Sequence, residues 1–269
     1  MKLIIYSQDD LAGSNIARII VNSHRFHAPD EYYYGSQIYR KKDVVLFGTH
    51  STVRDLTELP FEPEVCIVAS RHKSESGKPA LTCHPTGNFG QAEMGGRPHT
   101  LQQTDSRYLR ESLMLLEEKR REYDLDYEVT REVTHHGPTD LPFPLLFVEV
   151  GSTRKQWCDE VACNAVAEVI ADLVFKPVTE KPSAIGFGGP HYAPNFNLVS
   201  RNYAVGHIMP KHAAENITKT MVQEMIEKTT PRPTLAAVDW KGLKGKDKST
   251  LIEVIDELGI NWSKTSDLK

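Results

Sequence analysis

A chain of 269 residues, 39% hydrophobic and 25% charged, carries enough apolar material for a substantial buried core, arranged as one large domain (residues 1–269) or two closely packed lobes. No apolar run approaches the ~20 residues that span a bilayer, and the first residues read as a short strand rather than a signal segment, so a cytoplasmic protein without a membrane partner is expected. The net charge of -4 argues against indiscriminate coating of nucleic acid, and the four cysteines, Cys66, Cys83, Cys158 and Cys163, lack the Cys-x-x-Cys spacing of a zinc knuckle and suggest no disulfide framework.

In chain order, Lys2 to Ser7 reads as a strand, and Asp9-Asp10 opens a helix near Leu11 to Ser23 with Ile16, Ile19 and Ile20 on one face. Tyr32 to Arg40 and Asp43 to Phe47, separated by Lys41-Lys42, form a hairpin whose consecutive tyrosines are read as sheet-packing aromatics before base-stacking ones. After a proline-punctuated loop, Glu64 to Ser70 is a buried strand. The aperiodic stretch from Arg71 to Thr100, rich in Gly, Pro, Ser and Thr, has the composition of a functional loop region. Ser106 to Glu122 is an amphipathic helix with Leu109, Leu113 and Leu116 on its buried stripe. From Asp126 to Val133, polar and less polar residues alternate with the period of a strand, which Gly137-Pro138 stops just after His135 and His136.

Leu145 to Val150 is a buried strand containing Glu149, a carboxylate that must be paired, metal-bound or placed at an exposed end. Gly151-Ser152-Thr153 then caps a helix from Arg154 to Phe175. Ser183 to Gly189 and Tyr203 to Gly206 are strands, Lys211 to Lys228 a helix, Thr234 to Trp240 a strand and Ser249 to Leu258 a closing helix. This alternation specifies an α/β fold, with a largely parallel or mixed central sheet flanked by helices. Local basic groups that could meet RNA phosphates are Arg71 with Lys73 and Lys78, Arg97, Arg154 with Lys155, Lys211 and the run from Lys241 to Lys248, which also reads as an ordinary solvated loop.

Five of these strands each deliver histidine at the C-terminal end: His72, His84, the pair His135-His136, His191 and His207. If the strands run parallel, those ends converge on one crevice, the usual ligand position of open α/β sheets. Imidazoles neutral near pH 7 suit general-base work or metal ligation. There is no His-Glu-x-x-His helix and no Gly-x-Ser-x-Gly elbow, so neither a zincin pattern nor a serine nucleophile is indicated.

The segments Ala69-Ser70-Arg71-His72, Thr82 to Gly90, Gly95-Gly96-Arg97-Pro98, Glu132 to Pro138, Glu149 to Thr153 with Trp157, Gly188-Gly189-Pro190-His191-Tyr192-Ala193-Pro194 and Gly206-His207 follow one another in the order seen in D-aminoacyl-tRNA deacylases of the archaeal and plant type. The chain resembles that family over nearly its whole length, the likeness thinning after about Met225. The resemblance implies hydrolysis of the ester between a D-amino acid and the 3′ end of tRNA, a fold akin to phosphorylases and peptidyl-tRNA hydrolases, and a zinc cofactor.

On that reading the catalytic candidates are His72, His84, His135, His136, Glu149 and His191. Metal ligands come from His72, His84, His135, His136 and His191, with no spacing to choose among them. Substrate-binding candidates are Arg71, Asn88, Gly188, Gly189, Tyr192 and His207, with backbone at Gly87-Asn88 or Gly188-Gly189-Pro190 forming a wall that rejects the L-ester. The expected partner is the acceptor end of a charged tRNA, met by a monomer. The competing readings are a zinc-dependent peptidase or nucleoside-processing hydrolase using the same histidines, and a non-catalytic RNA-binding protein.

Overall fold

The computed structural model describes residues 1–269. A seven-stranded mixed sheet runs, edge to edge, Glu128–Arg131, Ala80–His84, Leu145–Ser152, Val65–Lys73, Lys2–Ser7, Val44–Thr49 and Tyr39–Lys41. The Leu145–Ser152, Val65–Lys73, Lys2–Ser7 and Val44–Thr49 strands are parallel, whereas Ala80–His84 lies antiparallel to Leu145–Ser152 and Tyr39–Lys41 antiparallel to Val44–Thr49. A second sheet is wholly parallel, in the order Ala204–Met209, Ser183–Phe187, Leu235–Val238 and Asn261–Lys264.

The pleat sorts the large sheet into two faces. Ile67, Ala69, Leu81, Cys83, Leu146, Val148 and Val150 pack under the helices Leu11–Ser23, Ser106–Glu122 and Glu160–Phe175 in the largest core cluster. Alternate residues point the other way. Toward one end they are apolar, Cys66, Val68, Leu145 and Phe147, and are covered by Val53, Leu141 and Phe143. Toward the other end the same face carries Ser70, His72, Thr82, His84 and Glu149.

Arg131 joins the two sheets. Its side chain has no solvent exposure, and its guanidinium donates to the carbonyls of Val205 and, at 2.9 Å, Gly206 in the second sheet. Burial without a carboxylate partner lowers its pKa to about 10. Beside it, Val133 N–H donates to His191 O at 3.1 Å and Ala193 N–H to Arg131 O at 3.0 Å, which ties the loop after Ser183–Phe187 to the strand leading into the double histidine.

Several expected boundaries differ. The helix expected over Arg154 to Phe175 is two, Arg154–Trp157 and Glu160–Phe175, because Asp159 accepts from the N–H groups of Val161 and Ala162 and starts a new helix. That over Lys211 to Lys228 divides into a 3-10 turn, Lys211–Asn216, and a helix, Lys219–Glu227, capped by Thr218. The closing helix begins earlier, at Gly245, and takes Lys246 and Lys248 into its first turns. The tyrosine hairpin reduces to Tyr39–Lys41 against Val44–Thr49, while Tyr32–Tyr33 turns back on Ser36–Gln37. All four cysteines are free, and no helix is long and apolar enough to cross a membrane.

Candidate active site

The histidines come together from strands of both directions: His72 lies toward the carboxyl end of Val65–Lys73, parallel to the Leu145–Ser152 strand that carries Glu149, whereas His84 ends a strand antiparallel to it. Because Ala80–His84 runs against Leu145–Ser152, its last residue His84 stands opposite Phe147, whereas His72 stands opposite Gly151 and Ser70 and Thr82 flank Glu149. His72, Glu149 and His84 are therefore neighbours across the face of the sheet, two residues apart along the central strand. A Cβ on Gly151 would come within 2.6 Å of His72 Cβ, so only glycine lets the two strands close around that imidazole.

The turn after Arg131 folds over this face. Glu132 is fully buried, and His136 takes a positive φ of 45° before Gly137. Gly137 packs on the Val53–Asp55 turn so closely that an added Cβ would meet Arg54 O at 2.2 Å. His135 and His136 thereby both approach His84, with ring centroids 4.2 and 5.0 Å away, while Phe147 stacks on His84 from beneath at 5.1 Å. His191 arrives from the second sheet, 4.6 Å from the His135 ring.

Glu132 is the residue that sequence reasoning missed. Alternation puts it on the polar parity of its strand, yet His191 Nε2 and His72 Nδ1 both lie 2.9 Å from its carboxylate and His135 Nε2 lies 3.4 Å away. The signal was a carboxylate three residues before His135 in a strand that also carries a buried arginine. Glu149, the carboxylate that was singled out, lies 3.5 Å from His72 Nδ1 and 3.7 Å from His84 Nε2, and accepts from Thr82 Oγ1 at 3.3 Å.

These contacts set the charges. Burial alone would raise both carboxyls, but the facing imidazoles hold Glu132 and Glu149 below the usual carboxylate range. Burial would lower His72, yet Glu132 and Glu149 overrule it and raise it to about 11, and His84 is raised mainly by Glu149 against the same penalty. Burial and the neighbouring imidazoles lower His135 and hold His136 at about 3. Two anionic carboxylates thus face a cationic His72 and neutral His135 and His136 imidazoles near pH 7.

Three imidazoles spend Nδ1–H on a backbone carbonyl: His84 donates to Pro85 O at 3.1 Å, His135 to Val133 O at 2.8 Å and His136 to Gly137 O at 2.6 Å. Carbonyl oxygens only accept, so in the neutral form each ring presents a bare Nε2. One ligand atom from each of these histidines lies within 4.8 Å of the others, and the sets Glu132, His135, His191 and His72, Glu132, Glu149 meet the same limit. His84 Nε2 and Glu132 Oε1 are buried with no hydrogen-bond partner, as expected of donor atoms arranged for a cation. The residues present fit a metal ion.

Above the cluster is a cavity of about 440 Å³, lined by His72, Glu132, His135, His136, Glu149 and His191, with Arg54, Arg71, Lys73 and Met94 towards its rim. Other expected site residues lie elsewhere. His207 sits within the Ala204–Met209 strand rather than at its end, fully buried, with Nδ1 3.1 Å from Thr134 Oγ1 and Nε2 donating to Gln102 O at 3.0 Å. Asn88 donates to Gly95 O and Arg97 O and so braces its own loop. Gly188 and Gly189 form a positive-φ turn against Asp239, outside the cavity lining. Tyr192 supports the site through its hydroxyl, 2.6 Å from His72 Nε2.

Residues 59–263 match the family model described as D-aminoacyl-tRNA deacylase. The D-aminoacyl-tRNA deacylase of Thermococcus onnurineus is 33% identical, the alignment covering 97% of this chain and 99% of that protein, and that of Cenarchaeum symbiosum is 34% identical, covering 97% and 98%. A crystal structure described as a conserved protein of unknown function superposes with a TM-score of 0.92 at 27% identity, covering 100% of this chain and 96% of the other. The match in sequence runs through both sheets and every segment that builds the histidine cluster: the chain belongs to the D-aminoacyl-tRNA deacylase family.

Proposed function

We propose that the cavity hydrolyses the ester joining a D-amino acid to the 3′-terminal ribose of tRNA, releasing free D-amino acid and tRNA, and that a monomer of one α/β unit does so in the cytoplasm. The observation that carries this reading is the pairing of family membership with a cavity floored by two ionised carboxylates and four imidazoles, with the His84 ring buried beside them. Its volume lies within the roughly 300–1,000 Å³ of small-molecule sites, enough for an aminoacyl group and part of its adenosine.

An aminoacyl ester needs a positioned water, a base and compensation for negative charge developing on the carbonyl oxygen. His191 is the assigned base: its Nε2–H donates to Glu132 Oε2 at 2.9 Å, leaving Nδ1 to take the proton of a water as that water adds to the ester carbon. Collapse of the adduct breaks the bond to the ribose oxygen, which receives the proton back from His191. Glu132 positions the ring, and His72, held protonated, keeps that carboxylate ionised and in place. Arg71 and Arg54 at the rim favour the terminal phosphate of the substrate. We assign zinc to the carbonyl-braced set His84, His135 and His136, where it would supply Lewis-acid polarisation of the ester carbonyl.

The test is the rate of release from D-tyrosyl-tRNA and L-tyrosyl-tRNA with freshly purified protein. Rapid loss of the D-ester alone is expected; negligible loss of both would overturn the reading.

A further inference from the structure

Five large hydrophobic side chains are exposed, and two of them border two adjoining hollows, Met94 on the histidine cavity and Tyr34 on a second crevice, with a third, Tyr32, on the same short hairpin as Tyr34. The second crevice, about 420 Å³, is lined by Tyr33, Tyr34, Thr49, His50, Asp55 and Glu58 among others. The two hollows share a wall. Thr52, Val53 and Arg54 face the histidine cavity, while the residues on either side of them in the chain face the crevice. Ser7, on the cavity, is also the register partner of Thr49, on the crevice, so the two are separated by one inter-strand spacing of ~5 Å.

The tyrosines do not all share one role. Tyr33 packs edge-on against Phe47 of the core, with ring centroids 5.0 Å apart, and against Tyr34 at 4.7 Å. Tyr34 itself has a positive φ of 45° in the tight turn and is 76% exposed, so an anchored ring holds a free aromatic face at the crevice edge. No lysine or arginine lines the crevice; Asp55 and Glu58 do. That chemistry repels phosphate and suits the flat face and exocyclic amino group of a base such as cytosine or adenine, whose amino protons a carboxylate accepts.

We propose that this crevice is a base subsite: it holds one unpaired, amino-bearing base of the RNA strand whose 3′ end enters the histidine cavity, stacked on Tyr34 and bonded through its amino group to Asp55 or Glu58. The inference rests on the proposed tRNA substrate and adds how the single-stranded end is gripped. Stacking on one aromatic side chain contributes about 1–3 kcal/mol, a factor of about 5–150 in binding.

The experiment compares wild type, Tyr34→Ala and Tyr34→Trp on D-tyrosyl-tRNA and on the same D-tyrosyl ester of adenosine alone. The expected result is a KM for the tRNA raised about 5- to 150-fold in Tyr34→Ala with kcat unchanged, restored in Tyr34→Trp, and less than two-fold change on the adenosine ester. An unchanged KM for the tRNA, or equal loss on both esters, overturns the subsite. In parallel, an uncharged single-stranded oligonucleotide ending in CCA, with 2-aminopurine replacing one cytosine, is titrated with each protein. Quenching by wild type that is lost in Tyr34→Ala supports the subsite, even if neither ester is cleaved and the catalytic reading fails. No quenching by wild type overturns it.

Discussion

Replacing Glu132 by Gln keeps the shape of the side chain and removes the charge on which three imidazoles converge. In the folded protein His72 and His191 each lie 2.9 Å from this carboxylate, and the Glu132 side chain is inaccessible to water. Removing one member of a buried ion pair costs roughly 3–5 kcal/mol. Here Glu149, 3.5 Å from His72, still compensates part of the charge, which places the expected loss at the low end, about 3 kcal/mol. Activity falls further than stability implies, because His191 loses the acceptor that orients it; displacement of a general base costs about 10²–10⁴-fold in kcat. Urea unfolding and single-turnover deacylation at saturating protein give the two numbers. A third readout separates positioning from mere folding: the pKa of His72, about 11 with both carboxylates in place, drops in Glu132→Gln, visible in the ring nitrogen shifts. A variant within two-fold of wild-type turnover, with an unchanged His72 titration, would refute the assignment of Glu132 to the site.

Gly137→Ala drives a Cβ into Arg54 O and should cost about 1–3 kcal/mol while displacing the double histidine; a variant with wild-type melting temperature and turnover would show that the turn tolerates it. Protein purified without chelator should hold about one zinc per chain, and His136→Ala should lose it along with several degrees of melting temperature; absence of metal from fully active protein sinks the zinc assignment. The Glu149 carboxyl is held below its ordinary value of 4.5 by His72 and His84, against the opposing effect of burial, so its contribution to stability is fully present above that pH and is lost as pH falls below it. Urea midpoints measured from pH 7 to pH 3 should therefore decline less steeply in Glu149→Gln than in wild type; equal slopes would contradict the pairing.

The α/β class and the course of the chain were legible because both sheets are built from short apolar or alternating runs punctuated by Gly and Pro. Strand direction was not. Nothing local in Ala80–His84 distinguishes a parallel strand from an antiparallel one, and that one reversal brings His84 to the site from the direction opposite to His72. The histidines before Pro85, before Gly137 and after Pro190 stood out by composition and do come together. His207 stood out equally and is a buried strand residue, since an imidazole between two polar partners leaves no local sign of its depth. Glu132 escaped because alternation predicts which residues share a face but not which face meets solvent, and here the second sheet covers it through Tyr192. The breaks at Asp159 and Thr218 were written as capping residues inside apparently continuous helical patterns, where amphipathic period outweighed them.

Because His72, His84, Thr82 and Glu149 occupy the alternate positions of the very strands whose remaining positions, Ile67, Ala69, Leu81, Cys83, Val148 and Val150, form the helix-covered core, chemistry and packing are written in the same two-residue phase. A single inserted or deleted residue in Leu145–Ser152 would exchange Glu149 with a valine and send a carboxylate under the helices. Sequence drift in these strands is thereby confined to substitutions, while the connections between them remain free to lengthen, and relatives that differ widely in loop size can share one unaltered spacing between the groups of the cluster.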